Sequence, residues 1–353
     1  MNAKQPAESA IPDNGSAEND LLGKVLSYAK RLRILDLGFE IEFLSDVVLP
    51  TYKGSTLHGG LGRAFRKLYC TCAEPLRTPD ENDSEEQSIH HEAGACPYHF
   101  IFETRINDNV FRFLRNVPSV PHPYLLEPPL DEKKEYMAGE RLAFTLRIFG
   151  SATGYAVNMI EAVALFGRLG VTRASVHFRI VRVTSIGAGR KQNVIYDGAS
   201  NTYLAIPKPY RWKPREESPL SHELMIRFLS PTRLVKSEHL QENVDFLIIL
   251  TSLIRRLAAL AYYAEGLKNA VKLTEGVNIS ANNVTLIKQD IDWKAWRRYS
   301  NRQSTAMLLG GVVGELTFGN VTEDLLLLLE FGKLLHLGKQ TTFGLGKYEI
   351  AQK

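Results

Sequence analysis

The residues best suited to chemistry form a loop near the carboxy terminus, where a leucine-rich segment ends at His336. Glycines in this loop allow the backbone to adopt positive φ and to approach a ligand closely, while a lysine and exposed N–H groups suit a phosphate. The same pattern also fits a tight helix-to-strand turn with a glycine cap, so the loop alone leaves both interpretations open. The candidate ligand contacts in loop 338–346 are Gly338, Lys339, Gln340, Thr341, Thr342, Gly344 and Gly346.

Two basic stretches carry aromatic residues between their charges. They are residues 293–302 (WKAWRRYSNR) and residues 208–215 (KPYRWKPR). Arginine can pair with phosphates while tryptophan and tyrosine stack on unpaired bases, which predicts contacts with nucleic acid. The alternative is a solvated charged face whose aromatic rings turn into the core. In the first stretch the candidate contacts are Trp296, Arg297, Arg298 and Arg302.

The cysteines offer a third kind of chemistry. Cys70, Cys72 and Cys96, together with one histidine, would form a Cys3His set for a structural zinc. The C-x-C spacing departs from the usual C-x2–4-C, and it therefore favours buried or free thiols over zinc. The histidines nearby in the sequence are His90, His91 and His99, of which we select His91.

The composition is that of an ordinary soluble globular protein, with 44% hydrophobic and 23% charged residues. A length of 353 residues predicts two domains of roughly 150 residues each. The net charge of +4 is modest, so it allows a polyanionic partner without requiring one.

The sequence shows no signal for membrane insertion or secretion. No run of about 18 apolar residues appears, so we expect no membrane span. Residues 1–20 are polar and rich in small residues, without the apolar core of a signal peptide, and we predict a disordered tail. Three cysteines do not make a disulfide framework, which fits a reducing, cytoplasmic location.

Apolar periodicity divides residues 21–200 into the order strand, helix, strand, strand, helix, strand, which is the split βαβ, or ferredoxin-like, arrangement. Ser55 or Thr56 is expected to cap the first of these helices. Residues 77–95 are acidic and apolar-poor, and are expected to be a surface insertion. The predicted elements are a strand at Leu35–Leu49, a helix through Leu57 and Leu68, strands at Tyr98–Thr104 and Arg141–Phe149, a helix at Gly154–Gly167 and a strand at Ala174–Val183.

A second domain with the same element order is expected at 221–353, after a turn at Asn193–Gly198 and a proline-broken linker at 201–220. The fold class is therefore α+β, with two tandem ferredoxin-like (RRM-like) domains and a carboxy-terminal glycine-rich loop. The predicted elements are a strand at His222–Leu229, a helix at Asn243–Glu265, irregular pieces around Ile291–Ser304, strands within Thr305–Phe318, a helix opened by Thr322 or Glu323, and a strand at Thr342–Ile350.

Six stretches spread over both halves resemble the CRISPR-associated endoribonucleases of the RAMP superfamily, which process precursor CRISPR RNA. They are LPTYKGSTLHGGLGRAFRKL (49–68), CPYHFIFE (96–103), IYDG (195–198), WRRYSNRQ (296–303), LGGVVGELTFG (309–319) and LHLGKQTTFGLGKY (335–348). The resemblance implies paired ferredoxin-like domains, recognition of CRISPR repeat RNA and cleavage without a metal or other cofactor. It also implies that the glycine loop acts together with the first helix of the amino-terminal domain.

Cleavage without metal uses the RNA's own 2′-hydroxyl as the nucleophile, and needs a base, an acid and positive charge near the phosphate. His58 lies in the first helix, where the family's catalytic histidine is commonly found; the alternative is an ordinary solvated or core histidine. His336 ends the last helix, where the helix C-terminus favours the imidazolium form; the alternative is a capping contact to carbonyls.

Neighbouring residues complete the expected site. Tyr52 and Lys53 precede the first helix, and in the family a nearby tyrosine or lysine often supports the histidine; the alternative for Lys53 is a solvated surface charge. Candidate RNA contacts on the same helix are Arg63, Arg66 and Lys67.

The leading prediction is a metal-independent endoribonuclease that cuts CRISPR repeat RNA within precursor transcripts, leaves 5′-hydroxyl and 2′,3′-cyclic phosphate ends, and matures guide RNAs for antiviral defence. Its expected partners are the repeat RNA and a type I or type III effector complex. The alternative is a non-catalytic RAMP subunit that binds guide RNA in such a complex. A generic RNA-binding protein of duplicated RRM-like build fits less well, because no aromatic-rich RNP signature lies on a recognisable strand.

Overall fold

The computed structural model describes residues 14–72, 96–106, 119–171, 176–187, 191–215, 223–236, 239–274, 283–300 and 305–352, with side chains except at 14–20, 296–300 and 305–309. The expected acidic insertion at 77–95, with His90 and His91, lies outside the described residues, as does Arg302. The described part begins with helix α1, Asn14–Arg31, so the predicted disordered tail is wrong for residues 14–20, and residues 1–13 lie outside the described residues.

The first domain consists of an antiparallel sheet covered by two helices. Its elements are β1 (Arg33–Phe43), α2 (Gly54–Tyr69), β2 (Tyr124–Glu127), β3 (Arg141–Phe149), α3 (Ala156–Leu169), β4 (Phe178–Ile186) and β5 (Gln192–Asp197). The strand order β2-β3-β1-β4-β5 contains the ferredoxin-like arrangement. Phe39 of β1 lies opposite Phe144 and Val183, and all three side chains are buried beneath α2 and α3.

Shorter elements complete this half of the chain. Tyr210–Arg211 pairs with the start of β1, so part of the expected linker adds to the first sheet. The others are the strands Val47–Val48, Glu135–Tyr136 and Thr202–Tyr203, the π-helical turn His99–Glu103 and the 3-10 helix Gly150–Tyr155.

The second domain repeats the arrangement. Its elements are β6 (Glu223–Thr232), α4 (Phe246–Tyr263), β7 (Thr285–Ser300), β8 (Thr305–Gly319), α5 (Glu323–Leu335) and β9 (Tyr348–Gln352). The sheet order is β7-β8-β6-β9. The predicted fold, an α+β pair of ferredoxin-like domains, is confirmed. Shorter elements are the strands Val235–Lys236 and His239–Leu240 and the 3-10 helices Lys268–Thr274 and Thr341–Phe343.

Helix α1 belongs to the core of the second domain. Leu22, Val25, Leu26 and Ala29 recur at helical spacing and are buried in the same cluster as the apolar residues of α4 and α5. The chain thus starts on the second domain before it enters the first, in contrast to the expectation that the first domain begins at residue 21.

Helix α4 is apolar enough to raise the question of a membrane. Phe246–Tyr263 has a mean hydropathy of 1.5 over 18 residues, and by length and composition alone it could cross a bilayer. In the structure, 67% of the helix is buried inside the protein. Its apolar surface therefore forms the core of the second domain.

Three predicted elements were wrong. Tyr98–Thr104 is not a strand but contains the π-helical turn, because a short apolar run fits either structure; the rings of Tyr98 and Phe102, one helical turn apart, stack at 5.5 Å. The second strand is β2, which is hidden in the sequence among flanking prolines. Asn193–Gly198, expected to be a turn, forms most of β5.

The third error concerns β7 and β8, which form a hairpin longer than the sheet around it. β6 pairs with β8 only from Val312 to Gly319, whereas β7 and β8 stay paired out to Ser300 and Thr305. Residues 292–300, expected to be irregular, therefore lie on a two-stranded arm. Residues 292–295 at the base of this arm are all exposed, whichever face of the strand they lie on, so burial imposes no apolar alternation there.

Candidate active site

The glycine loop of the second domain packs against the start of α2 in the first domain. The 3-10 turn Thr341–Phe343 contacts both α2 and β2. The Tyr52 hydroxyl donates a hydrogen bond to the carbonyl of Phe343. Gly54, the first residue of α2, lies so close that an added Cβ would be 1.9 Å from the Phe343 oxygen. This fit fixes the start of the helix without a capping side chain: the residue at the N-cap is Lys53, and the predicted cap by Ser55 or Thr56 is absent.

His58 lies one helical turn beyond Gly54, at the boundary between the two domains. The edge of its ring meets the Phe343 ring with centroids 4.4 Å apart, and its plane is 17° from that of Tyr124 at 6.1 Å. The side chain is only partly buried. His58 is therefore held by both domains and still reaches solvent.

A second histidine, which the sequence did not suggest, lies beside it. The centroids of the His122 and His58 rings are 6.5 Å apart. Nδ1 of His122 lies 3.2 Å from the carbonyl oxygen of Ile101; because a carbonyl only accepts, Nδ1 carries the proton and Nε2 keeps its lone pair. Burial lowers the pKa of His122 to about 4, so the ring is neutral at pH 7. The available sequence signal was a histidine between two prolines directly before β2.

His336, the other predicted catalytic histidine, is completely buried. It follows the last residue of α5, and its Nδ1 donates to the carbonyl of Leu345 at 3.1 Å while Nε2 lies 3.4 Å from Oε1 of Glu127. Burial lowers the pKa of His336, and the contact with Glu127 opposes this shift. The carbonyl that His336 contacts belongs to the loop, so the expected alternative, a capping contact to the last carbonyls of the helix, is not what the structure has.

Glu127 joins the glycine loop to the first sheet. Its carboxylate binds Arg147 of β3 at 2.7 Å and Lys347 at 2.6 Å. Burial alone would raise the pKa of Glu127, but Arg147, together with two further basic groups, holds it well below its usual range. Arg147 also binds Asp36 at 2.6 Å and the carbonyl of Leu334 in α5 at 3.1 Å. A buried charge network thus crosses from the first sheet to the last helix.

Tyr52 and Lys53 are both buried supports rather than solvated groups. Burial raises the pKa of Tyr52, so its hydroxyl stays protonated and serves as a donor to the loop. The Lys53 ammonium binds the Asp131 carboxylate at 2.8 Å and its carbonyl oxygen at 2.9 Å, with no exposed surface. The alternative expected for Lys53, a solvated surface charge, is wrong.

The loop glycines are needed for packing within the protein. Gly346 has φ +76°, and a Cβ there would lie 1.9 Å from the carbonyl oxygen of Leu337. Several loop N–H groups expected to face a ligand bind protein oxygens instead. These donors are Leu337, Gly338, Lys339, Gly344 and Gly346.

The side chains of the loop differ in exposure. Thr341 and Thr342 are buried, and Gln340 is half-buried. Lys339 is exposed and is the loop cation accessible to a ligand. On the neighbouring α2, Arg63, Arg66 and Lys67 are exposed as well, and Arg66 lies over the Tyr98 ring at 5.6 Å.

The two basic aromatic stretches have different environments. In 208–215 the alternative interpretation is confirmed, because the Tyr210 hydroxyl donates to Asp36 at 3.0 Å and Trp212 packs on Phe331 with centroids 5.3 Å apart. In 293–302, the positions of Trp296, Arg297 and Arg298 lie on the protruding arm of β7.

Comparisons with known proteins agree with this architecture. Residues 32–211, half of the chain, match the family model of the AF_1859_N N-terminal domain. Residues 226–348 match the model of the CRISPR-associated endoribonuclease Cas6. An uncharacterized protein of Archaeoglobus fulgidus is 23% identical over 309 residues, which cover 86% of this chain and 92% of that protein.

Solved structures show the same fold. A chain of a partial Cas6-RT-Cas1–Cas2 complex superposes with a TM-score of 0.51 at 11% identity, over 91% of this chain and 46% of that chain. A chain of the Cas6-RT-Cas1–Cas2 complex gives the same TM-score and identity, with 29% of that chain covered. This chain therefore spans less than half the length of either. The AF_1859_N model, which covers half of the chain, places the protein in that family, and its second domain matches the CRISPR-associated endoribonuclease Cas6.

Proposed function

We propose that the protein cuts CRISPR repeat RNA within precursor transcripts by attack of the RNA's own 2′-hydroxyl on the adjacent phosphate, without a catalytic metal. The products are a 2′,3′-cyclic phosphate and a 5′-hydroxyl, and the matured guide RNA would pass to a type I or type III effector complex. The observation that carries the proposal is the position of His58, a partly exposed histidine on α2 held against Phe343 of the Cas6-matched domain.

His58 and His122 are the two proton-transfer groups in this proposal. His122 is neutral and keeps a lone pair on Nε2, which suits a base for the 2′-hydroxyl. The negative phosphate of bound RNA would raise its pKa towards the working range and so strengthen it as a base. His58, whose ring centroid lies 6.5 Å away, would donate a proton to the leaving 5′-oxygen. Rings at this separation could both contact one phosphodiester group bound beside them.

His336 has a positioning role in this proposal. Its buried ring holds the Leu345 carbonyl on one side and Glu127 on the other, so it fixes the glycine loop beside β2. Tyr52 and Lys53 act in the same indirect way, through the Phe343 carbonyl and through Asp131. These contacts keep Phe343 against His58 when RNA binds.

The RNA-binding surface would combine the exposed cations of α2 and the loop with the arm of β7. Lys339 in the loop of the second domain and Arg63 on α2 are both exposed, and each can neutralise a phosphate. Trp296, Arg297 and Arg298 on the arm would add stacking and further phosphate contacts.

Lys339→Ala should weaken repeat-RNA binding several-fold and lower the salt dependence. Loss of one phosphate contact reduces the slope of log K against log salt by about one. The slope is measured by fluorescence anisotropy of labelled repeat RNA over a salt series, and Lys30→Ala, which removes an exposed lysine of α1, is the matched control. If the Lys339 variant keeps the wild-type slope, the loop does not contact a phosphate.

The proposed function is tested with purified protein, EDTA and repeat RNA from the same CRISPR locus, beside an RNA of the same composition in scrambled order. We expect one cut, in the repeat RNA only. The upstream product should end in a 2′,3′-cyclic phosphate, which acid treatment opens. The downstream product should begin with a 5′-hydroxyl, which polynucleotide kinase labels without prior phosphatase treatment. Tight binding of the repeat without any cut would overturn cleavage and indicate the non-catalytic RAMP subunit.

A further inference from the structure

Three thiols and one imidazole converge where α2 ends. Cys70 is the C-cap residue of α2, Cys72 follows two positions later, and Cys96 and His99 lie at the start of the π-helical turn. Their ligand atoms, one from each residue, all lie within 4.8 Å of one another. Cys72 Sγ and His99 Nδ1 are 3.2 Å apart.

This geometry is that of a tetrahedral zinc site. Zn–S bonds of about 2.3 Å place two sulfur ligands roughly 3.8 Å apart, and the four ligand atoms here all lie within 4.8 Å of one another. All three cysteines are free thiols, and thiolates with one imidazole are the ligands that zinc takes in closed structural sites. We propose that Cys70, Cys72, Cys96 and His99 bind one structural zinc ion.

The site differs from the zinc set expected from the sequence in its histidine. His99 replaces His91, because the turn at 99–103 places the His99 ring against the Cys72 thiol. The unusual C-x-C spacing is accommodated because Cys70 still belongs to the end of the helix, while Cys72 lies on the chain beyond it.

The zinc would hold together the two elements that orient the catalytic histidines. Phe102 of the turn packs on Phe65 of α2 with centroids 5.2 Å apart. The carbonyl of Ile101 accepts the hydrogen bond from His122, and the carbonyl of Phe100 accepts one from Tyr263 of α4 at 3.0 Å. The proposal that zinc binds here depends only on the four ligands. Its effect on cleavage rests on the proposed function.

The test measures zinc in untagged full-length protein, purified from zinc-supplemented cells, by mass spectrometry of the metal. We expect about one zinc per chain, lost in Cys72→Ser and His99→Ala. Zinc should be kept in the matched control His91→Ala, and also in His99→Cys, because four cysteines form an equally good set. Cobalt exchange should give the thiolate charge-transfer band and the strong visible bands of a tetrahedral site.

Cobalt spectra and thiol titration are measured on the wild-type protein, so they test the site even where a variant folds poorly. Wild-type protein with no zinc, three titratable thiols and no tetrahedral cobalt spectrum would overturn the site. Zinc that survives His99→Ala but is lost in His91→Ala would overturn the ligand set. A repeat-RNA cleavage assay on the zinc-loaded protein keeps this outcome separate from a failure of the proposed function, because the zinc content is read without reference to activity.

Discussion

His58→Ala is expected to slow cleavage of the repeat RNA by about 10²–10⁴-fold, the usual contribution of one positioned proton-transfer group. The dissociation constant of the RNA should change only a few-fold, because the proposed role of His58 is proton transfer and the cations proposed to bind the backbone remain. Single-turnover cleavage with enzyme in excess gives the rate of the chemical step, and anisotropy gives the affinity. The folded state should be unaffected, since His58 is partly exposed.

The matched control is His239→Ala, which removes an exposed histidine of the second domain far along the chain from α2. It should leave both the rate and the affinity at wild-type values. His122→Gln should slow cleavage as well, because the amide has no basic nitrogen. A wild-type rate in the His58 variant would remove that residue from the chemistry, and a wild-type rate in the His122 variant would leave the base unassigned.

Arg147→Met is expected to lower the free energy of unfolding by about 3–5 kcal/mol, since it removes the cation from a buried network and leaves carboxylates without their partner. Arg147 binds Asp36 and Glu127 inside the protein. Lys347 still neutralises Glu127 after the change, but Asp36 keeps only the Tyr210 hydroxyl. Urea unfolding followed by circular dichroism measures the loss.

Arg141→Met is the control on the same strand. Arg141 pairs with Glu40 at 2.7 Å, but its side chain is 53% exposed, so its removal should cost about 0–1 kcal/mol. The Arg147 variant should also cleave more slowly, because the Arg147 contact to the Leu334 carbonyl helps to hold α5 and the loop against the first domain. Equal stabilities for the two variants would show that the buried network does not hold the domains together.

The parts of the fold that the sequence predicted are those with clean apolar periodicity. Each of these elements buries at least one face, so its apolar residues recur at the spacing of a strand or a helix and predict it correctly. They are the strand of Phe39 and the helices α3, α4 and α5. The arm of β7 was not predicted, because its residues 292–295 are exposed and need no buried apolar face. Helix α1 has an apolar stripe in its sequence, but a local pattern does not indicate which of the two domains the helix packs against.

The site was predictable only in part, for a similar reason. His58 could be placed on a helix from its own neighbours, and the contact between that helix and the glycine loop followed from resemblance to a family. The burial of His336 depends on Glu127 and Leu345, which reach it from other elements, so the sequence around it could not indicate that the ring is buried. His122 and His99 act beside residues distant in the chain, which only the folded arrangement brings together.

The most direct test of the account replaces the ribose 5′ to the cut by its 2′-deoxy form, at that one position, in repeat RNA incubated with the purified protein. Binding should be unchanged, because one hydroxyl contributes little to a surface dominated by phosphate contacts. Cleavage should be abolished, because the nucleophile is gone. Cleavage of the deoxy RNA at the same position would contradict attack by the 2′-hydroxyl, and with it the roles given to His58 and His122.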